Sequence, residues 1–247
     1  MYICCVGDLH GKINKMYEEI QAFEDRLDVI FSYILQVGDF GIWTKDSIVD
    51  RATKNHGDVG DFPAKYEQKI PVPVPTFFVK GNHEDFEFLS LFKLDNKIVL
   101  PRLHYLSNGS RVKLGINDPV VIGGIGGCYG YSSYDRKDLK QCKQRHYTKV
   151  EIENLIKEGP IDIFITHDAP HNLEFKGFGR TYKAEATGLE NVVKECRPKL
   201  WIFGHHHSHI ITEIEDTLVV GLSKIGNYGN MAAVEVVKDR VDVLEIV

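Results

Sequence analysis

Cysteine is scarce and unpatterned here: Cys4, Cys5, Cys128, Cys142 and Cys196 are an odd set of five, with no CxxC spacing. That argues against a disulfide framework and against a thiolate zinc site, and reduced structural thiols suit a reducing compartment. Long apolar runs are missing as well. No stretch approaches the ~20 residues needed to span a bilayer, and the apolar run after Met1 meets Asp8 almost at once, so neither a membrane partner nor a secretory leader is expected. Positive charge is not in excess either. A net charge of −5 gives no general attraction to nucleic acid or anionic membranes, so a nucleic-acid partner would need a local basic patch. Repeats, low-complexity tracts and linkers are also absent. A cytoplasmic chain with one domain over residues 1–247 is the expectation.

The apolar pattern alternates between strand and helix periods. Tyr2–Gly7 is short and rich in β-formers. Lys12–Leu27 repeats Ile13, Tyr17, Ile20, Phe23 and Leu27 at helical steps, and Val29–Val37 is strand-like again. Residues 44–70 read as a polar loop with a short helical piece. Further strands are expected at Thr76–Lys80, His104–Ser107, Arg111–Leu114, Val120–Ile122, Ile161–Thr166 and Leu200–Phe203, with short strands from Ile210 onward. Helices are expected up to Phe92, at Thr148–Glu158, where Thr148 and Glu151 have capping-box spacing, and at Leu189–Cys196. Parallel strands early and antiparallel strands late imply an α/β protein. Two mixed sheets packed face to face, with helices outside, would bury both faces of such strands.

Five of these strands end in metal-ligand types: Asp8 with His10, Asp39, Asn82 with His83, His167, and His205 with His207. A lone histidine at a strand end is more often a structural residue, and a lone Gly-Asp is more often a turn. Five such ends at one edge of a sheet point to a metal site. Asp8 and His10, like His205 and His207, are two apart; in extended chain they share a side, with His206 facing away. Carboxylate, amide and imidazole donors suit Mn, Fe, Ni, Co or Zn. One ion cannot easily use seven protein ligands and still bind water, whereas two ions sharing a carboxylate can, and both then act on one phosphate.

These residues resemble a known superfamily. Gly-Asp-Leu-His-Gly at 7–11, Gly-Asp at 38–39, Gly-Asn-His-Glu at 81–84, Thr-His at 166–167 and Gly-His-His-His at 204–207 match the calcineurin-like metallophosphoesterase motifs in order. The resemblance implies a four-layer α/β/β/α sandwich with a binuclear centre that hydrolyses phosphate mono- or diesters through a metal-bound hydroxide. By position, Asp8, His10, Asp39 and His207 would hold one ion, and Asp39, Asn82, His167 and His205 the other. Asp39 would bridge, and His83 would act on the leaving group. Phe40-Gly41-Ile42-Trp43 after Asp39 departs from the protein Ser/Thr phosphatases. The middle of the chain resembles the lariat-debranching branch instead, through Pro73–Phe78, His104-Tyr105-Leu106, Ile122–Gly127, Arg145-His146-Tyr147 and Ile161–Pro170. Debranching enzymes usually carry Cys where this chain has Asp8, which favours a conventional two-metal centre, and nothing here resembles their C-terminal extension. A phosphodiester is the favoured substrate, with a nucleic-acid phosphodiesterase as the alternative. A catalytically silent scaffold would be marked by lost ligands, and none is lost.

One segment supplies the local basic patch. Tyr129–Lys149 holds Arg136, Lys137, Lys140, Lys143, Arg145 and Lys149 among Tyr129, Tyr131, Tyr134 and Tyr147, which could grip a nucleic-acid backbone and stack bases, or form a solvated surface. Lys140, Lys143 and Arg145 are the substrate-binding candidates, joined by Arg180, which with Lys176 and Lys183 follows His167. Trp43 lines a pocket or anchors its loop. His56, His104 and His171 are read as ordinary surface or structural residues.

Overall fold

The computed structural model describes residues 1–49, 51–55, 59–92, 98–177 and 180–247, with Ala52 and Arg180 described by backbone alone. Among the described residues the strands form two large sheets and one hairpin. The seven-stranded sheet runs Arg240–Ile246, Met231–Val237, Tyr2–Val6, Phe31–Gln36, Thr76–Phe78, Leu103–Tyr105, Ile98–Leu100. Its four central strands, from Tyr2–Val6 to Leu103–Tyr105, are parallel. The six-stranded sheet runs Ile210–Ile214, Thr217–Gly221, Leu200–Phe203, Ile163–Thr166, Val120–Ile125, Arg111–Leu114, and is parallel through its middle four.

Strand alternation builds the layers, because successive side chains leave a strand on opposite faces. Ile3 and Cys5 meet Ile163, Ile165, Leu200 and Ile202 of the other sheet in a buried inter-sheet core. Cys4 and Val6 face outward onto Ile13, Met16, Ile20 and Phe23 of the helix Ile13–Leu27. On the far side, Phe164, Trp201 and Phe203 pack against Ile152 and Leu155 of Lys149–Lys157 and against Val192, Val193 and Cys196 of Leu189–Cys196. This is the four-layer α/β/β/α arrangement, and burial on both faces explains why the central strands read as near-continuous apolar runs.

Four local features differ from the sequence reading. The loop 44–70 carries two short helices, Arg51–Asn55 and Phe62–Glu67. The third strand stops at Phe78, since Val79 and Lys80 leave the ladder towards the site. Gly123 and Gly124 lie inside the strand Val120–Ile125, because Ile161 and Leu155 crowd one and Leu106 and Val79 the other. The loop after His167 contains a hairpin, Glu174–Gly177 with Arg180–Lys183, whose short alternating pattern gave little signal. The capping box is present: Thr148 Oγ1 accepts from the Glu151 N–H, and the Glu151 carboxylate accepts from the Thr148 N–H at 2.8 Å. Thr148→Ala is therefore expected to lower unfolding free energy by about 1 kcal/mol, seen as a lower denaturant midpoint at unchanged m-value.

Candidate metal centre

The parallel strands of both sheets end at one edge, and five of them, Tyr2–Val6, Phe31–Gln36, Thr76–Phe78, Ile163–Thr166 and Leu200–Phe203, lead into the candidate ligands there. Four of these residues have left-handed backbones: His10 at φ 47°, Asp39 at 50°, His205 at 67° and His207 at 49°. So His10 joins Asp8, and His207 returns to the site, through tight turns and not through the extended alternation expected from their spacing. Strained backbone of this kind persists only where its surroundings over-determine it. Here the surroundings are close-packed glycines. A Cβ on Gly81 would lie 1.9 Å from Asp39 Oδ1, one on Gly38 2.4 Å from His167 Nδ1, and one on Gly204 2.2 Å from Asp8 Oδ1.

Two groups of acceptors result. In the first, His207 Nε2 lies 3.0 Å from both His10 Nε2 and Asp8 Oδ2. One proton cannot serve both contacts, and a cation at the centre of the three would. In the second, the Val37 carbonyl lies 2.9 Å from His167 Nδ1 and takes its hydrogen. The facing Nε2 lies 2.9 Å from Asn82 Oδ1 and 3.7 Å from Asp39 Oδ2. Burial opposes a proton on this imidazole, Asp39 and Asp8 outweigh it and hold it above the ordinary range, and a bound ion would take that proton's place. Three acceptors around one point suit a divalent ion, and the carbonyl behind the imidazole is the usual outer support of a histidine ligand. Asp39 Oδ2 is also 3.9 Å from His10 Nδ1, the other ring nitrogen of that imidazole, so this oxygen lies between a residue of each group.

The charges agree with this placement. Burial pushes Asp8 up, but the His207 hydrogen bond and the nearby His167, His207 and His10 hold it below the ordinary carboxylate range. Burial also opposes ionisation of Asp39, and His167, His10 and His83 overcome it, leaving that carboxyl lowered. His205 is pulled down to about 4 by desolvation and by His167, which keeps it neutral. Its ring centroid lies 4.9 Å from that of His167, and its backbone N–H donates to the Asp8 carboxylate. His83 is partly exposed on the rim, its ring 6.0 Å from that of His10 and its N–H bonded to Asp39 Oδ1 at 2.8 Å.

His206 belongs to a third group, with Asp168 and His205. Its ring stacks on Phe175 at 3.9 Å, and its Nε2 is 3.6 Å from Asp168 Oδ1. Asp168 is brought down to about 2: burial opposes this, and the His206 contact, His205 and the Tyr129 N–H outweigh it. Trp43 is buried yet lines a cavity of about 510 Å³ with Glu84, Asp85, Gln141, Cys142 and Arg145. His104 stacks on Phe77, and His171 Nδ1 is bonded to the Ala186 carbonyl. His56 lies outside the described residues.

In the basic segment, Lys140 and Lys143 are exposed, Arg145 is half-buried, and the Arg145 Nε has no hydrogen-bond partner among the described residues. The expectation of stacking tyrosines needs correction. Tyr129, Tyr134 and Tyr147 pack on one another, and Tyr131 alone of the four is exposed. Arg180 begins the second strand of the hairpin; its side chain lies outside the described residues.

Sequence reasoning gave no role to Glu84, Lys80, Gln36 or Asp168. Gln36 bonds the carbonyls of Gly7 and Gly38 and so ties two ligand-bearing turns together; a buried amide ending an apolar strand was the available signal. Glu84 accepts from the N–H groups of Phe40, Gly41 and Ile42 at 2.8, 3.1 and 2.6 Å, fixing the loop that follows Asp39. Burial and the Asp39 charge push its carboxyl up to about 8 against the pull of these donors.

Comparison with known proteins follows the same lines. The sequence profile of the calcineurin-like phosphoesterases matches residues 1–209. The chain belongs to the calcineurin-like phosphoesterase family and is thereby a metal-dependent phosphoesterase hydrolase. It is 27% identical over 250 residues to the lariat debranching enzyme of Entamoeba histolytica, covering 91% of this chain and 69% of that one. It is likewise 27% identical over 244 residues to lariat debranching enzyme A of Xenopus laevis, covering 84% of this chain and 43% of that one. The chain therefore spans less than the whole of either relative. A crystal structure of a hypothetical protein from Thermus thermophilus shares the fold over 100% of both chains, with a TM-score of 0.52 at 12% identity.

Glu84→Ala would leave three converging backbone donors without their acceptor. It is expected to lower unfolding free energy by about 1–3 kcal/mol, measured by denaturant titration.

Proposed function

We propose that the chain is a binuclear phosphodiesterase, with residues 1–247 forming one catalytic domain. The observation that carries this is Asp39 Oδ2, set between His10 at 3.9 Å and His167 at 3.7 Å, with a separate acceptor group on either side. Asp8, His10, Asp39 and His207 would hold one ion, and Asp39, Asn82, His167 and His205 the other. Mn, Fe, Ni, Co and Zn all match these oxygen and imidazole donors. When bound, such ions neutralise phosphoryl oxygens and acidify water near neutral pH.

The chain's own residues do the rest. The His167–Val37 hydrogen bond fixes which ring nitrogen faces the centre. The His205 N–H holds the Asp8 carboxylate in place, and Glu84 holds the Asp39 loop. His83, anchored through its backbone to Asp39 but with a partly exposed ring, would give a proton to the departing ester oxygen.

A nucleotide or nucleic-acid diester is the favoured substrate. Lys140 and Lys143 are exposed, and Arg145, whose buried Nε has no hydrogen-bond partner among the described residues, lines one cavity with Glu84 and Asp85. Such a diester also matches the named activity of the curated relatives, lariat debranching. Arg180 is a further candidate from its position on the hairpin.

Metal analysis of wild type should give two ions per chain, and Asp39→Asn should lose metal. His83→Ala should retain metal while kcat falls roughly 10²-fold or more; loss of metal in that variant would show that His83 is a ligand and not the acid. Replacing Lys140, Lys143 and Arg145 together with Ala should raise KM for an oligonucleotide diester, and less so at high salt. An equal loss on a small aryl phosphodiester, unchanged by salt, would show that the segment does not read the substrate.

A further inference from the structure

Lys80 is 5% exposed, and the chemistry above does not use it. It immediately precedes Gly81-Asn82-His83, where the third parallel strand breaks off into the metal centre. Its ammonium donates to the Gln144 carbonyl at 2.5 Å and the His146 carbonyl at 2.9 Å. Its own carbonyl accepts from the Gly127 N–H at 2.7 Å.

Those three partners stand at the neck of one loop. Residues 128–147 leave the strand Val120–Ile125 and return to the helix Lys149–Lys157, and a bridge between Cys128 and His146 closes the neck. The Cys128 N–H donates to the Arg145 carbonyl at 2.9 Å, and a Cβ on Gly127 would lie 2.5 Å from the same oxygen. Asn108 holds the incoming side through the Gly126 carbonyl and N–H, and it reaches Glu151 of the capping box on the outgoing side. Lys80 is the member of this knot that belongs to the metal-bearing turn. The loop it grips carries Arg136, Lys137, Lys140, Lys143 and Arg145.

We propose that Lys80 is a positioning residue for an anionic chain substrate: it bolts the neck of the 128–147 loop to the Asn82–His83 turn, so that the loop's cations and the metal centre hold a fixed register. The proposal rests on the reading that this loop contacts substrate. A buried ammonium suits the task because two carbonyls from a single turn, withdrawn from water, require strong donors. Charge-assisted hydrogen bonds are about twice as strong as neutral ones, and leaving their acceptors unpaired is costly. A side chain here acts on geometry, so it should appear in KM for a long substrate and in the motion of the loop.

The test compares Lys80→Met, Lys80→Arg and a Lys140→Ala/Lys143→Ala double variant, all metal-loaded, on an oligonucleotide diester, with amide hydrogen exchange followed in parallel. Lys80→Met should raise KM roughly tenfold with kcat retained, and should speed exchange in 128–147 while the strands flanking the site stay protected. Lys80→Arg should restore much of the KM. If Lys80→Met does not fold, Lys80→Gln, which keeps one N–H donor, is read by the same criteria. A raised KM in the double variant with an unchanged KM in Lys80→Met overturns the bolt and leaves the loop reading standing. An unchanged KM in both overturns both. A fall in kcat and metal content together in Lys80→Met assigns Lys80 to the general fold and also overturns the proposal.

Discussion

Three of the donors at the centre, Asp8, Asp39 and His167, occupy space that a side chain on another strand end would otherwise take. Asp39 rests on Gly81, His167 on Gly38 and Asp8 on Gly204, with the last two contacts crossing from one sheet to the other. This mutual exclusion of volume sets the spacing of the two sheets at their shared edge. It also explains the glycine in three of the motifs: Gly38, Gly81 and Gly204 each clear room for a ligand from another strand end, while Gly7 clears room for the Ser223 carbonyl. The left-handed turns at His10, Asp39, His205 and His207 follow, since a chain leaving a strand in so little space has few other ways to bring its donors back.

Around that contact set, polar groups without chemistry of their own hold the geometry. Gln36 joins the first two ligand turns, Glu84 clamps the loop after Asp39, and Val37 orients His167. All are buried, and each fills a hydrogen-bonding need that a withdrawn backbone group would otherwise leave open. The centre thus consists of donors that face each other with too few protons, inside a shell in which the backbone donors and acceptors are matched.

Much of this was legible in the sequence because it is periodic or punctuated. Leu189–Cys196, Leu200–Phe203 and Arg111–Leu114 fall where their apolar patterns place them, and the box at Thr148 and Glu151 marks its helix start. The ligand-bearing strand ends show because Gly-Asp, Gly-Asn-His and Gly-His interrupt apolar runs. The local geometry was not legible. Spacing of two suggested extended chain for Asp8 and His10, but alternation applies only within a ladder, and both residues lie beyond it. Lys80 and Asp168 received no role because a single charged residue beside a motif carries no periodic signal. Their roles depend on the neck at Gln144–His146 and on the Tyr129 N–H, which the chain reaches only after folding. The tyrosines of the basic segment misled for a similar reason: composition shows aromatic rings, while packing decides whether they face solvent or one another.

The strand that presents Asp8 has an unusual history to complete. Tyr2–Val6 lies between Phe31–Gln36 and Met231–Val237, and the latter pairs with it residue by residue from Tyr2–Glu235 to Val6–Met231. On a ribosome, the segment carrying Asp8 would emerge with one sheet edge bare and wait for Met231–Val237 before its second neighbour arrived. Pairings of such large sequence separation form late, and an open edge, here one that takes its partner antiparallel, is a template for wrong partners meanwhile. Metal capture should therefore be a closing event in biosynthesis, and the exposed edge of Tyr2–Val6 is where a nascent chain would most need protection.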